Sequence, residues 1–356
     1  LQQIADEKGP AEVKNYLKEN LKKWKKEEIY FAVTGRSATG KSTFINKIRD
    51  VKPREPGFAK AGSGNTTKEP TPYPNPKNER IVYYDLPGVG TLEFEKALFP
   101  EKMKLEIKLS ELKKSYCLVR SKIDEDLANA EHDGRDERDV IPEIRKQIQD
   151  DLSRQESLKN CDEVFLISSR RKDVGEWQEL LAHIEKSLPP IKFETFMYSL
   201  PTLTEKIIDV KYKTLKTRIK IATGSAAVIA AIPVPGVDVA VNMGILVEEI
   251  YHYNWVFGLG KERLAALKGF DRSTLNCNEF HVPAGDIVQL IVTQLGKLML
   301  ILEVESVADI LSPIIGSIIS AGTSAVITYR YLSQILEKFR DDARTVYRYV
   351  IKEQGV

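Results

Sequence analysis

The 356-residue sequence predicts an α/β domain with a doubly wound, mainly parallel sheet, joined to an all-α domain built from its N- and C-terminal segments. Three observations predict it. Apolar runs at Ile29–Val33, Ile81–Tyr84, Ser115–Arg120 and Glu163–Ile167 each end in a polar loop, with helical periodicity between them. Strands that alternate with helices imply parallel crossovers. Near Leu188-Pro189-Pro190 this alternation stops, and everything beyond reads as helix. Before the first run, residues 10–27 are rich in Lys and Glu, with Val13, Leu17, Leu21 and Trp24 on one helical face. The expected organisation is therefore an N-terminal helical segment at 1–27, an α/β domain at 28–190 and a helical domain at 191–356.

The first apolar run feeds Gly35-Arg36-Ser37-Ala38-Thr39-Gly40-Lys41-Ser42-Thr43, a complete G-x-x-x-x-G-K-S phosphate loop, and a helix opens at Lys41. Gly35 and Gly40 let the backbone curl so that successive N–H groups point at phosphate oxygens. The helix N-terminus adds partial positive charge. Lys41 is expected on the β- and γ-phosphates and Ser42 on Mg²⁺. After the second run stands Asp85-Leu86-Pro87-Gly88, whose Asp holds Mg²⁺ through water and whose Gly88 N–H senses a γ-phosphate.

The third run ends at Ser121-Lys122-Ile123-Asp124, similar to the [NT]-K-x-D element that reads guanine. Asp124 would accept from guanine N1 and N2, donors that adenine lacks there, while the Lys122 stem covers the ring. Ser121 departs from Asn or Thr yet keeps a hydroxyl. The fourth run ends at Ser168-Ser169-Arg170, where a backbone contact to guanine O6 is expected. Each motif alone is weak; three in order, each at a strand end, point to GTP or GDP with Mg²⁺.

Composition narrows the remaining classes. Charged residues make up 29% with a net charge of only +2, so no nucleic-acid footprint is present. Cys117, Cys161 and Cys277 have no paired spacing, which fits a reducing compartment. His132, His183, His252 and His281 show no metal-ligand spacing. With no charged-then-apolar leader at Leu1, a cytoplasmic location is expected. Residues 51–79, dense in Gly, Pro, Asn and Thr, read as a long exposed loop in which Thr67 closes on Mg²⁺ when a γ-phosphate is present. Residues 122–160 read as charged helix around a loop at Glu131–Arg138. The uncharged stretches 221–237 and 310–329 are long enough to span a bilayer. Pro233, Pro235, Gly236, Pro313, Gly316 and Gly322 interrupt them, which favours buried helical hairpins over membrane spans.

Together these residues resemble the immunity-related GTPases, an interferon-inducible, dynamin-like family. The Gly40-Lys41-Ser42 loop, Asp85–Gly90 and Ser121–Asp124 carry the likeness in the α/β part. Ile232–Val237, Tyr253–Leu259 and Gly316–Arg340 carry it in the helical part, and the likeness spans nearly the whole chain. The resemblance implies a GTPase that pairs through its nucleotide face and forms higher oligomers with itself or other family GTPases. It also implies peripheral action on intracellular or pathogen-containing membranes in cell-autonomous immunity.

Two departures bear on hydrolysis. Val89 stands where small GTPases carry a water-orienting Gln, and Asn65 stands where the family carries a glutamate that supports dimerisation. Arg36 is a compensating group, either an arginine finger in cis or trans or an exposed loop cation. A guanine-nucleotide-binding module with little hydrolysis is the alternative function. A third departure is architectural. A GTPase sheet needs a strand between Gly90 and Ser115, beside the phosphate-loop strand, and Leu92–Lys114 reads as amphipathic helix instead. Losing that strand would expose backbone groups at about 1–3 kcal/mol each. Residues of the molecule missing from this sequence, a splice form or a degraded domain would each explain it.

Overall fold

A computed structural model describes residues 10–35, 37–60, 69–87, 115–154, 163–171, 174–202, 204–230, 237–280, 284–301 and 321–353. The chain falls into two compact units, Glu27–Thr204 and the pairing of Leu1–Lys26 with Glu205–Val356. Helix α1 (Pro10–Lys22) belongs to the second unit. Pro10 presets the first helical φ, and Glu12 and Lys22 suit the positive and negative ends of the helix dipole.

The α/β unit begins with β1 (Ile29–Val33), followed by α2 (Lys41–Arg49), β2 (Thr71–Asn75) and β3 (Asn78–Asp85). The order in space is β1-β3-β2, with β1 parallel and β2 antiparallel to β3. β2 lies inside the span read as loop, which corrects that reading. Its Pro72 and Pro74 have no N–H to donate, and an edge strand tolerates that because one of its sides has no partner strand to satisfy. A short turn joins β2 to β3, where Asn75 Oδ1 accepts the Lys77 N–H at 2.8 Å.

Downstream, β4 (Leu118–Arg120) leads into α3 (Ile123–His132) and α4 (Glu137–Ser153), then β5 (Val164–Leu166), α5 (Trp177–Ser187) and α6 (Pro190–Ser199). β4 and β5 form a separate parallel pair. Among the described residues, then, the sheet expected as one doubly wound whole stands as two pieces, of three and two strands. The interval Leu92–Lys114, where the sequence lacks a strand-like run, lies outside the described residues. Asp136 caps the N-terminus of α4, its carboxylate accepting the Arg138 N–H at 2.9 Å. Ile123, Leu127 and Ala130 of α3 and Val140 of α4 pack on Val164 and Leu166. α6 clusters with this unit, so the unit extends past residue 190 to Thr204.

The helical unit adds α7 (Glu205–Ala230), α8 (Val237–Phe257), the short α9 (Lys261–Ala265), α10 (Ala284–Ile301) and α11 (Ala321–Glu353). Buried Ile207, Ile208, Leu215, Ile219 and Ala222 recur on one face of α7. Lys211 and Arg218 fall on that same stripe and are buried with it. Lys211 Nζ donates to Val256 O at 2.7 Å, placing its charge at the negative end of α8. Arg218 forks onto Glu249 (2.7–3.0 Å) and also donates to Leu21 O at 2.6 Å, which ties the end of α1 to α7 and α8. His252 and Trp255 stack on one another, and Trp24 packs against both at a tilt. From α11, Asp342 accepts from the Asn276 and Cys277 N–H groups at 2.8 and 2.7 Å. Among the described residues no helix is long and apolar enough to cross a membrane.

Candidate nucleotide site

Parallel pairing of β1 with β3 sets Val33 opposite Asp85, so the phosphate loop and the Asp85 loop leave the same sheet end side by side. Leu86 N–H donates to Val33 O at 3.0 Å and continues that register. In the loop, Gly40 has φ +85° and caps α2, a conformation that strains any L side chain. A Cβ at Gly35 would sit 3.0 Å from Thr39 Oγ1, a tight contact that the Thr39 side chain would have to yield to. Ser37, Ala38 and Thr39 lie in the same loop and Thr43 in the first turn of α2, where a helix leaves N–H groups without intrahelical acceptors.

Two side chains define the chemistry at this end. Ser42 Oγ donates to Asp85 Oδ2 at 2.7 Å, and both residues are buried. Adjacent oxygen donors, a hydroxyl and a carboxylate, are the hard ligand set that Mg²⁺ prefers. Lys41 Nζ lies 3.3 Å from Gly35 O, folded back over the loop. Burial lowers its pKa, and the nearby Asp85 carboxylate partly offsets that.

Behind the loop, α2 carries a clamp that the sequence reading missed. Asn46 donates to Ala59 O at 2.7 Å and accepts from Ala59 N–H at 2.8 Å. Arg49 donates to Pro74 O and Gly57 O, each at 3.0 Å. Together they fasten the segment after α2 to the helix. Polar residues three apart on the buried face of a short amphipathic helix are the signal that marks such a clamp.

The base-side residues come from the other sheet. Ser121 Oγ donates to Thr39 O at 2.5 Å and straps the S-K-x-D element to the phosphate loop. Lys122 takes φ +65°, and its ammonium pairs with Glu125 Oε2 at 3.3 Å. Asp124 Oδ1 and Ser169 Oγ are both buried without a hydrogen-bond partner. A buried carboxylate oxygen without a donor is costly, and guanine N1 and N2 are donors of the missing kind. Ser168 is fully buried, and its Oγ accepts from Arg170 N–H (3.1 Å) and Arg171 N–H (2.8 Å), so that hydroxyl is committed to shaping the loop. Arg36, Thr67 and Gly88, with Asn65 and Val89, lie outside the described residues. No cluster of metal-binding side chains occurs elsewhere among the described residues.

A G-x-x-x-x-G-K-S turn between a parallel strand and a helix, beside a strand-end aspartate, defines a phosphate-loop nucleotide-binding fold. Comparison with known proteins sharpens this class to a family. The family model described as "Interferon-inducible GTPase (IIGP)" matches residues 3–107 and 99–348, and the chain belongs to that family. The mouse T-cell-specific guanine nucleotide triphosphate-binding protein 2 is 32% identical over 256 residues, 65% of this chain and 61% of its own length. Mouse interferon-inducible GTPase 1 is 29% identical over 286 residues, 73% and 68% of the two chains. Rat interferon-inducible GTPase 5 is 26% identical over 371 residues, covering 93% and 77%. This last alignment is longer than the present chain, so some of its positions have no residue here. The chain spans about 61% of the length of the first mouse relative.

Proposed function

We propose that this chain binds GTP and GDP with Mg²⁺, hydrolyses GTP, and assembles with itself in a nucleotide-dependent way. The observation that carries the reading is the Ser42–Asp85 contact of 2.7 Å at the mouth of the phosphate loop. In this reading Ser42 ligates Mg²⁺, Asp85 holds it through water and Thr67 completes the set. Lys41 neutralises the β- and γ-phosphates, and the backbone from Gly35 to Thr43 cradles them. The unpartnered Asp124 Oδ1 supports guanine as the base, with Lys122 over its ring.

Val89 cannot orient water with its side chain, so charge stabilisation must come from another group. Arg36, in cis or from a second copy, is the group to test. Family membership supports a role in cell-autonomous immunity on intracellular or pathogen-containing membranes, with a cytoplasmic, peripheral location. GTP turnover measured against protein concentration tests the whole reading. Specific activity that rises with concentration supports it, and Arg36→Ala should flatten that rise. Tight GDP binding with no turnover at any concentration favours the second reading, a binding module, which rests on Val89 and Asn65.

A further inference from the structure

Trp177 opens α5 and is almost wholly buried, yet it touches both halves of the candidate site. Its indole N–H donates to Ser168 O at 3.0 Å, inside the loop that follows β5. Its ring lies parallel to Phe44 of α2, with centroids 5.8 Å apart and planes 6° apart. The same stretch closes the loop. Ile167 bridges Gly175, Glu176 N–H donates to Leu166 O at 2.7 Å, and Leu166 N–H donates back to the Glu176 carboxylate at 2.9 Å. Gly175 has no room for a side chain, because a Cβ would sit 2.7 Å from Leu166 O and 3.1 Å from Ile123 Cδ1, next to Asp124.

We propose that Trp177 is a positioning residue for guanine recognition. Its N–H fixes the carbonyl of Ser168, and so the backbone that presents Ser169. Its ring holds that loop at a set distance from the helix of the phosphate loop. Any buried indole N–H needs an acceptor; this one takes it from the base-side loop, and the unpartnered Ser169 Oγ lies one residue from that anchor. The inference rests on the guanine reading given above and adds to it the residue that sets the geometry of the base loop.

The test is Trp177→Phe in the full chain, which keeps a ring against Phe44 and deletes only the donor. GDP and ADP affinities are measured side by side by calorimetry. GDP binding should weaken about fivefold, the scale of one lost buried donor, with ADP binding unchanged, so the GDP-over-ADP ratio narrows by the same factor. Equal weakening of both nucleotides, or an unchanged ratio, overturns the proposal by showing a structural role alone. Wild-type protein that fails to prefer GDP over ADP instead removes the guanine reading itself, and the proposal with it. A measurement on the wild-type chain covers the case of a variant that does not fold. In ¹⁵N-labelled protein, one of the three indole N–H signals (Trp24, Trp177, Trp255) should shift and exchange more slowly with GDP, and none with ADP. Three indole signals indifferent to GDP would overturn the assignment.

Discussion

In the helical unit, the buried charges of Lys211, Arg218, Glu249 and Asp342 each meet partners from their own unit. In the α/β unit, the buried Oδ1 of Asp124 meets none. The helical unit also leaves the neutral Asn254 Oδ1 and Ser333 Oγ and the Nε of Arg344 without partners, but the Arg344 guanidinium as a whole is paired with Asp209 at 2.6 Å, within the unit. The difference separates two uses of buried charge. Where the protein supplies both members of a pair, the pair fixes how helices dock. Where it supplies one, the other is expected from outside.

Substitutions can break or sharpen this contrast. The largest effect is expected for Glu249→Ala, which strands Arg218 and should cost about 3–5 kcal/mol in denaturant unfolding. Replacing both, Arg218→Met with Glu249→Leu, should restore most of that loss. Next, Asp124→Asn should lower GDP affinity roughly 10–100-fold, following the ~1.5–3 kcal/mol of a hydrogen bond to a charged group. Its unfolding free energy without nucleotide should hold or rise, by up to about 1 kcal/mol, since the amide relieves the uncompensated carboxylate oxygen at the expense of a first-turn dipole term. A large stability loss there would show that Asp124 serves the fold. Ser42→Ala should then erase the response of GDP affinity to Mg²⁺ chelation, a response of about tenfold for each 1.4 kcal/mol of lost coordination.

The smallest effect concerns His252. Burial, reinforced by Arg218 and Lys25, holds its pKa well below the ordinary 6.5. As pH falls through that ordinary value, the unfolded chain takes up a proton that the folded chain refuses, so stability falls with pH. The slope is at most about 1.4 kcal/mol per pH unit. Urea unfolding between pH 7.5 and 5.5 should show this slope in the wild type and a flatter one in His252→Gln.

The loops at strand ends were legible in the sequence because their chemistry is local. Gly40 must take a left-handed φ, Ser42 must follow the lysine, and Asp124 must sit three residues after Ser121, whatever the rest of the chain does. β2 was not legible, since Pro72 and Pro74 look like loop until the strand is known to lie at an edge. Trp177 and the Asn46–Arg49 clamp were hidden for another reason. Their partners, Ser168, Ala59 and Pro74, are backbone carbonyls in other elements, and no side-chain pattern announces a carbonyl. The strap from Ser121 to Thr39 became visible only in three dimensions, while the interval between Gly90 and Ser115, where the sequence lacks an apolar run, lies outside the described residues.

One contact at the mouth of the loop carries a further consequence. Ser42 spends its single proton on Asp85. A hydroxyl whose proton is already engaged can offer a cation only lone pairs, so it behaves there as a carbonyl would. Threonine at that position should serve equally well, because it keeps the same oxygen. Cysteine should not, because its larger, softer sulfur suits neither the aspartate nor a hard divalent ion.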